Sequence, residues 1–148
     1  MKITICGSMI FVEEMVKTRE ALLSLGHEVE MPPTHILADT GELIPVVEYY
    51  QLRKTITDPN SWVWDRKGQA IRDHFNTIVW SDAMLVLNHD KNDVPGYVGV
   101  NTIMEMGLAF HLRKPIFLWK DVPNLPYQEE IRGMKPIIIN ADLQRLIL

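Results

Sequence analysis

Apolar and polar positions follow a repeating rhythm along most of the chain, and that rhythm predicts strands and helices in alternation. "KITIC" (Lys2 to Cys6) is a short apolar run of the kind that forms a buried strand, and Gly7-Ser8 turns it into a helix. From Phe11 to Leu25, apolar residues recur at Phe11, Met15, Leu22 and Leu25 with charges between them, the spacing of an amphipathic helix. Gly26 stops this helix, and "HEVEMP" gives a second strand ended by Pro32-Pro33. Strand, helix and strand in that order predict a β-α-β unit and a parallel sheet.

The rhythm returns from Trp64 to Trp80, a helix with Ile71, Phe75, Ile78 and Val79 on one face. "DAMLVLN" is continuous enough to be a strand buried on both sides, as at the centre of a parallel sheet. After the loop "HDKNDVPGYVG" comes a helix in "GYVGVNTIMEMGLAF", then Lys114-Pro115 and the strand "IFLW". A short helix around Gln128 to Arg132, the strand "PIIIN" and a terminal helix "ADLQRLIL" complete the expectation. The segment from Thr34 to Ser61 breaks the pattern with Pro45, Pro59, a Thr40-Gly41 turn and the partly helical cluster "VVEYYQLRK". A connector this long is expected to be an insertion or a lid, although an insertion without a role fits as well. Its flanking aromatics, Tyr49, Tyr50, Trp62 and Trp64, suit core packing or a dimer contact, with stacking on a base as the alternative. No repeat, linker or low-complexity stretch divides residues 1–148. The expected fold class is α/β: one domain, a three-layer sandwich around a five-stranded parallel sheet of Rossmann-like or flavodoxin-like order.

Composition narrows the function. The 148 residues are 47% hydrophobic and 23% charged, which is ordinary for one globular domain. A formal net charge of -4 gives no general attraction for polymeric nucleic acid or anionic lipid, so an anion has to be held by local donors. Cys6 is the only cysteine, which excludes an internal disulfide and a thiolate cage. His27, His35, His74, His89 and His111 are scattered without ligand spacing, and no metal is expected. There is no GxGxxG or P-loop, and no cofactor is expected. Glu13 and Glu14 end the N-terminal apolar stretch too early for a signal peptide, and no apolar run is long enough to span a membrane. The expectation is a soluble, cytoplasmic protein with a small-molecule partner.

In open α/β sheets, ligands bind beyond the carboxyl ends of the strands, where the strand order reverses. Two glycine-bearing loops leave such ends: Gly7-Ser8, and Gly96 to Asn101 with Gly99. Glu105 follows about one turn into the next helix among Ile103, Met104, Met106 and Leu108, with Ala109 and Leu112 on its own face. A carboxylate on an apolar face is either a partly exposed residue favoured by the helix N-terminus or a group held there for chemistry.

"CGS" after the first strand, "SDAMLVLN", and "GYVGVNTIMEMGLAFHLRKPIFL" resemble the nucleoside 2-deoxyribosyltransferase superfamily, which includes 2'-deoxynucleoside 5'-monophosphate N-glycosidases. The resemblance covers both ends of the chain, including "EEIRG" near Gly133, but not Thr34 to Ser61. It implies cleavage or transfer at an N-glycosidic bond, with Glu105 as the nucleophile at C1' of the sugar. A carboxylate suits that role because it stabilises an oxocarbenium-like transition state and can close on the same carbon. The residues implied around the substrate are Cys6, Gly7, Ser8, Asp82, Gly96, Gly99, Asn101 and, from a neighbouring subunit, Gln128. The family's orienting tyrosine corresponds to Thr4 here, and its second carboxylate to His74, with Asp73 beside it; a histidine could protonate the departing base. Gly99 stands where the monophosphate hydrolases have a phosphate-holding serine. A homodimer or higher homo-oligomer is implied as well.

Two alternatives remain at this level. "PGYVGVNTIME" is also similar, more loosely, to the "PGGxGTxxE" loop of lysine-decarboxylase-like phosphoribohydrolases, with Thr102 and Glu105 keeping the spacing. The departures at Thr4 and His74 also fit a catalytically silent nucleotide-binding or sensing module.

Overall fold

A computed structural model describes residues 1–147. Its centre is a five-stranded, all-parallel sheet in the order β2-β1-β5-β6-β7, formed by β1 (Lys2–Cys6), β2 (Glu28–Glu30), β5 (Ala83–Val86), β6 (Ile116–Leu118) and β7 (Ile137–Ile138). Numbered among themselves, these strands run 2-1-3-4-5, the flavodoxin-like order. The five-stranded α/β expectation therefore holds, and of the two orders considered it is the flavodoxin-like one.

Alternation along the strands divides the core. Ile3, Ile5, Leu85, Leu87 and Phe117 face Met15 and Leu22 of α1 (Val12–Ser24). Met84, Val86, Ile116 and Leu118 face α3 (Trp62–Trp80), α4 (Val100–His111) and α5 (Gln128–Gly133) through Ile78, Met106 and Ile131. Thr4 and Cys6 share this second parity and are fully buried. Lys114 closes α3 by donating from Nζ to the carbonyls of Ile78 (2.7 Å), Val79 and Ser81, a cation placed at a helix C-terminus.

The segment that broke the rhythm is ordered. It forms an antiparallel hairpin of β3 (His35–Leu37) and β4 (Leu43–Pro45), followed by α2 (Val46–Thr55). Ile36, Val46, Tyr49 and Val63 make a separate small core that also covers Met9 and Trp62. Strands of three residues carry too little alternation to stand out in the sequence, so the hydrophobic pattern does not predict the hairpin. Of the four aromatics, Tyr49 and Trp62 pack in this core, Tyr49 donating to the Val63 carbonyl at 2.7 Å, whereas Trp64 is exposed with its indole donating to the Asp58 carbonyl at 2.9 Å.

The expected terminal helix is not formed. Asn140 and Ala141 take positive φ values of 52° and 60°, Asp142 caps Gln144 at 3.0 Å, and only a 3₁₀ turn, Leu143–Arg145, follows. Leu143 and Leu146 pack on the sheet from this turn, which buries the apolar residues without an α-helix; Leu148 lies outside the described residues.

Candidate active site

The chain leaves β1 toward β2 on one side and returns to β5 on the other, so the switch in strand order lies between the carboxyl ends of β1 and β5. A cavity of about 600 Å³ opens there, within the range of small-molecule sites. Gly7 and Ser8 line one side, and Gly99, Asn101 and Glu105 of the β5–α4 loop and α4 line another. The hairpin and α2 supply a further wall through Ile36, Tyr49, Tyr50 and Arg53. Residues 34–61 are thus part of the cavity's construction.

Glu105 sits on the floor, its side chain 14% exposed, with Oε2 3.8 Å from Nε2 of His74. Cys6 Sγ lies 3.1 Å from the same nitrogen. His74 is in turn fixed from behind. Thr77 Oγ1 donates to the His74 carbonyl at 2.8 Å and lies 3.3 Å from Nδ1, while Thr4 Oγ1 lies 2.8 Å from Thr77 Oγ1. Because the Thr77 proton is committed to the carbonyl, its oxygen accepts from Nδ1–H. This assigns the tautomer with a bare Nε2, which faces the Cys6 sulfur. Three separate elements contribute: the end of β1, the middle of α3 and the second turn of α4.

Burial sets the protonation of this group. It pushes the Glu105 carboxyl up to about 8, against the lowering effects of the Cys6 thiol and the Lys67 charge. Burial pushes His74 down to about 4, so its imidazole is neutral. Burial, then the nearby Glu105 charge, raises the Cys6 thiol. Lys67, on the cavity wall, is lowered to about 8 by burial and then by Arg53, with Glu105 pulling it back up.

These shifts predict an unusual pH dependence of stability. Glu105, raised in the folded state, contributes stability that is present below its ordinary 4.5 and lost as pH rises through about 8. His74, lowered, contributes stability present above 6.5 and lost as pH falls through about 4. The two slopes oppose and cancel between about 4.5 and 6.5, leaving only the Glu105 slope from 6.5 to about 8. His27 and His89 are also lowered and act below 6.5. Over roughly 1.5 pH units the expected loss is about 2 kcal/mol. Urea unfolding at the two ends of the window should show it in the wild type and not in Glu105→Gln.

Of the residues singled out from sequence, Glu105, His74, Asp73, Gly7, Ser8, Gly99 and Asn101 line the cavity, and Cys6 lies directly behind it against His74. Asp73 is on the outer rim, exposed and accepting from Gln69 at 2.7 Å. Asp82 is elsewhere: it precedes β5 and accepts from the Lys2 amide at 2.7 Å, at the amino edge of the sheet and opposite the cavity. Gln128 starts α5 outside the cavity, 3.5 Å from Asn124 Oδ1. Gly96 shapes the loop from beneath. Its φ is +63°, and a Cβ there would lie 2.7 Å from the Asp121 carbonyl oxygen.

Several residues of the cavity carry no signal in the sequence. Arg53, Arg66, Lys67 and Lys91 line the cavity against two acids, Asp73 and Glu105, so a chain of net charge -4 has a locally positive pocket. Lys91 Nζ donates to Ser8 Oγ at 2.8 Å and Tyr50 OH at 3.2 Å. Arg53 lies over the rings of Tyr49 and Tyr50, and its Nε is buried without a hydrogen-bond partner among the described residues. Asn88, fully buried, ties the two loops together; its Nδ2 faces the carbonyls of Gly96, Lys120 and Asp121 at 3.0–3.2 Å, and Oδ1 accepts from the Lys120 amide at 2.8 Å. Although the histidines have no ligand spacing along the chain, folding brings the donor atoms of Cys6, His74 and Glu105 within 4.8 Å of one another. No local pattern marks contacts between residues so far apart in sequence.

No protein-family model matches the chain, and neither does any curated protein sequence. Among solved structures, it is similar to a 2-deoxyribosyltransferase from the psychrotolerant bacterium Bacillus psychrosaccharolyticus: 17% identity, 80% of this chain and 71% of that one, TM-score 0.49. It is also similar to a CMP N-glycosidase from Clostridium botulinum, at 15% identity over 95% of this chain and 90% of that one, TM-score 0.45.

Proposed function

We propose that this protein cleaves the N-glycosidic bond of a nucleoside 5'-phosphate, with Glu105 as the nucleophile at C1'. The observation that carries the reading is the position of Glu105. It is a carboxyl on the floor of a cavity at the switch in strand order, beside Cys6 and His74 and faced by a wall of cations. The motif resemblance assigns the same residue.

In the first step a Glu105 oxygen bonds to C1' as the bond from C1' to the base nitrogen breaks, and the electron pair leaves with the base. The base takes a proton from the Lys67 ammonium, whose lowered pKa suits it to proton transfer near neutrality. Water then attacks C1', the ester to Glu105 breaks, and the water proton returns to Lys67. If the sugar passes to a second base instead, the same intermediate serves a transferase. His74 does not suit proton donation, because its Nε2 is bare and its Nδ1 proton is committed to Thr77. Its Nε2 contacts Cys6 Sγ at 3.1 Å, and it packs beside Glu105.

A phosphate is supported by the cations and by α4, whose N-cap, Gly99, has no side chain to satisfy the first-turn amides. The unpartnered Arg53 Nε supplies a further donor. Arg53→Ala is expected to lower kcat/KM for a nucleoside 5'-monophosphate by about 10-fold or more, chiefly through KM. The unphosphorylated nucleoside should be little affected. Equal losses on both substrates would remove Arg53 from phosphate recognition.

The deciding experiment is chromatographic detection of released base from ribo- and deoxyribonucleosides and their 5'-monophosphates, each with and without a free acceptor base. Release without acceptor identifies a hydrolase, and release only with acceptor a transferase. Nucleotide affinity without any turnover would replace the enzyme by a binding or sensing module.

A further inference from the structure

We propose that Cys6, His74 and Glu105 form a three-ligand site for a thiophilic divalent cation, Zn²⁺ above all, at the floor of the cavity. The three donor atoms converge within 4.8 Å of one another, with His74 Nε2 3.1 Å from Cys6 Sγ and 3.8 Å from Glu105 Oε2. Tetrahedral zinc, with bonds of about 2.0–2.3 Å, sets neighbouring ligand atoms roughly 3.3–3.7 Å apart. The two separations from His74 Nε2 bracket that range, and the third, between Cys6 Sγ and the Glu105 carboxylate, is within 4.8 Å, so the side chains close on the ion by shifts of about an ångström or less.

The histidine is presented as a ligand needs to be. Thr77 Oγ1 accepts from Nδ1–H, and Thr4 stands behind Thr77, so the lone pair of Nε2 is aimed at the other two donors. A hydrogen bond to the outer nitrogen is the usual way of fixing a metal-bound imidazole. Sulfur, imidazole nitrogen and carboxylate oxygen together favour zinc or cobalt over magnesium or calcium. On binding, the thiol and the carboxyl release their protons to solvent, and the resulting two negative charges balance the ion. His74 and Glu105 open onto the cavity while Cys6 closes the back, which leaves the fourth position for water or a ligand. Arg53, Arg66, Lys67 and Lys91 line the same cavity, so an anion is the natural fourth ligand.

With Glu105 as nucleophile, such an ion ties up the attacking oxygen, and Zn²⁺ inhibits base release reversibly. The metal site itself is independent of the glycosidase reading. Chelator-treated full-length protein would be titrated with Co²⁺ and followed by absorption. The expected spectrum has a sulfur-to-cobalt charge-transfer band and intense tetrahedral d–d bands, saturates at one equivalent, and is displaced by Zn²⁺. Cys6→Ala should lose the charge-transfer band, and Glu105→Gln should bind Co²⁺ at least about 10-fold more weakly, each variant being checked for folding by circular dichroism. Absence of the band in the wild type, or its persistence in Cys6→Ala, would overturn the site. So would unchanged affinity in folded Glu105→Gln. Base release measured in chelator separates the two readings: release without a cobalt spectrum removes only the metal site, and a cobalt spectrum without release removes only the glycosidase.

Discussion

Glu105→Gln is expected to lower the rate of base release by at least about 10³-fold with the fold intact. The amide keeps the shape of the side chain but has no carboxylate to bond to C1' or to oppose the developing positive charge. The wild-type pH profile should carry the signature of the same residue. Attack needs the ionised carboxylate, so kcat/KM rises with pH until Glu105 is deprotonated near 8. Departure of the base needs the Lys67 ammonium, so the rate falls again once that group is deprotonated, also near 8. A narrow bell peaking close to pH 8 is the expected result. Because the two groups lie within each other's field, its limbs belong to the pair. Lys67→Met should slow release and flatten the alkaline limb. An acidic limb near 4.5, or a Glu105→Gln enzyme that keeps most of its activity, would sink the assignment.

Asn88→Ala is expected to give the largest loss of stability among single substitutions near the site. The native amide faces three carbonyls and accepts from one backbone amide while completely buried, so truncation leaves several buried polar groups unpaired. At about 1–3 kcal/mol for a group left unsatisfied, a total loss of roughly 3 kcal/mol is expected. In a chain of this size that corresponds to a fall in Tm of about 6–12 °C. Asn88 also holds the loop that carries Gly96 to Gly99 into α4, on which Glu105 is mounted. Substrate KM should therefore rise even well below the melting transition. Urea and thermal unfolding together with KM check both parts; a change below 1 kcal/mol would mean that water replaces the amide without cost.

The sheet was legible because its information is local. Each of β1, β5 and β6 is a run of residues buried on both faces, and such runs stand out whatever surrounds them. Helices α1, α3 and α4 announce themselves by apolar spacing, α1 also by Gly26 after its end and α4 by the glycine loop before it. The Ser61 cap that starts α3 at Trp62, two residues before the expected Trp64, is seen only in the structure. The hairpin of β3 and β4 and the 3₁₀ turn at Leu143–Arg145 do not. Both are too short to express a period, and both are held by packing on partners distant in sequence.

The same division runs through the site. Glu105 was visible as a carboxyl in an apolar run, and the glycine loops were visible as breaks after strands. The sequence by itself determined that a parallel α/β sheet would carry a carboxyl close to its ligand-binding edge. Tertiary structure alone decided its chemistry. Strand parity points Thr4 and Cys6 to the α3/α4 side, one turn of α3 brings His74 against Thr77, and α4 sets Glu105 beside them. The segment from Thr34 to Ser61, expected from sequence to be an insertion or a lid, adds Arg53 to the wall of the cavity. Protonation, charge balance and ligand geometry depend on which groups lie within a few ångströms and how far water is excluded. Those separations arise between residues tens of positions apart, and no periodicity along the chain records them.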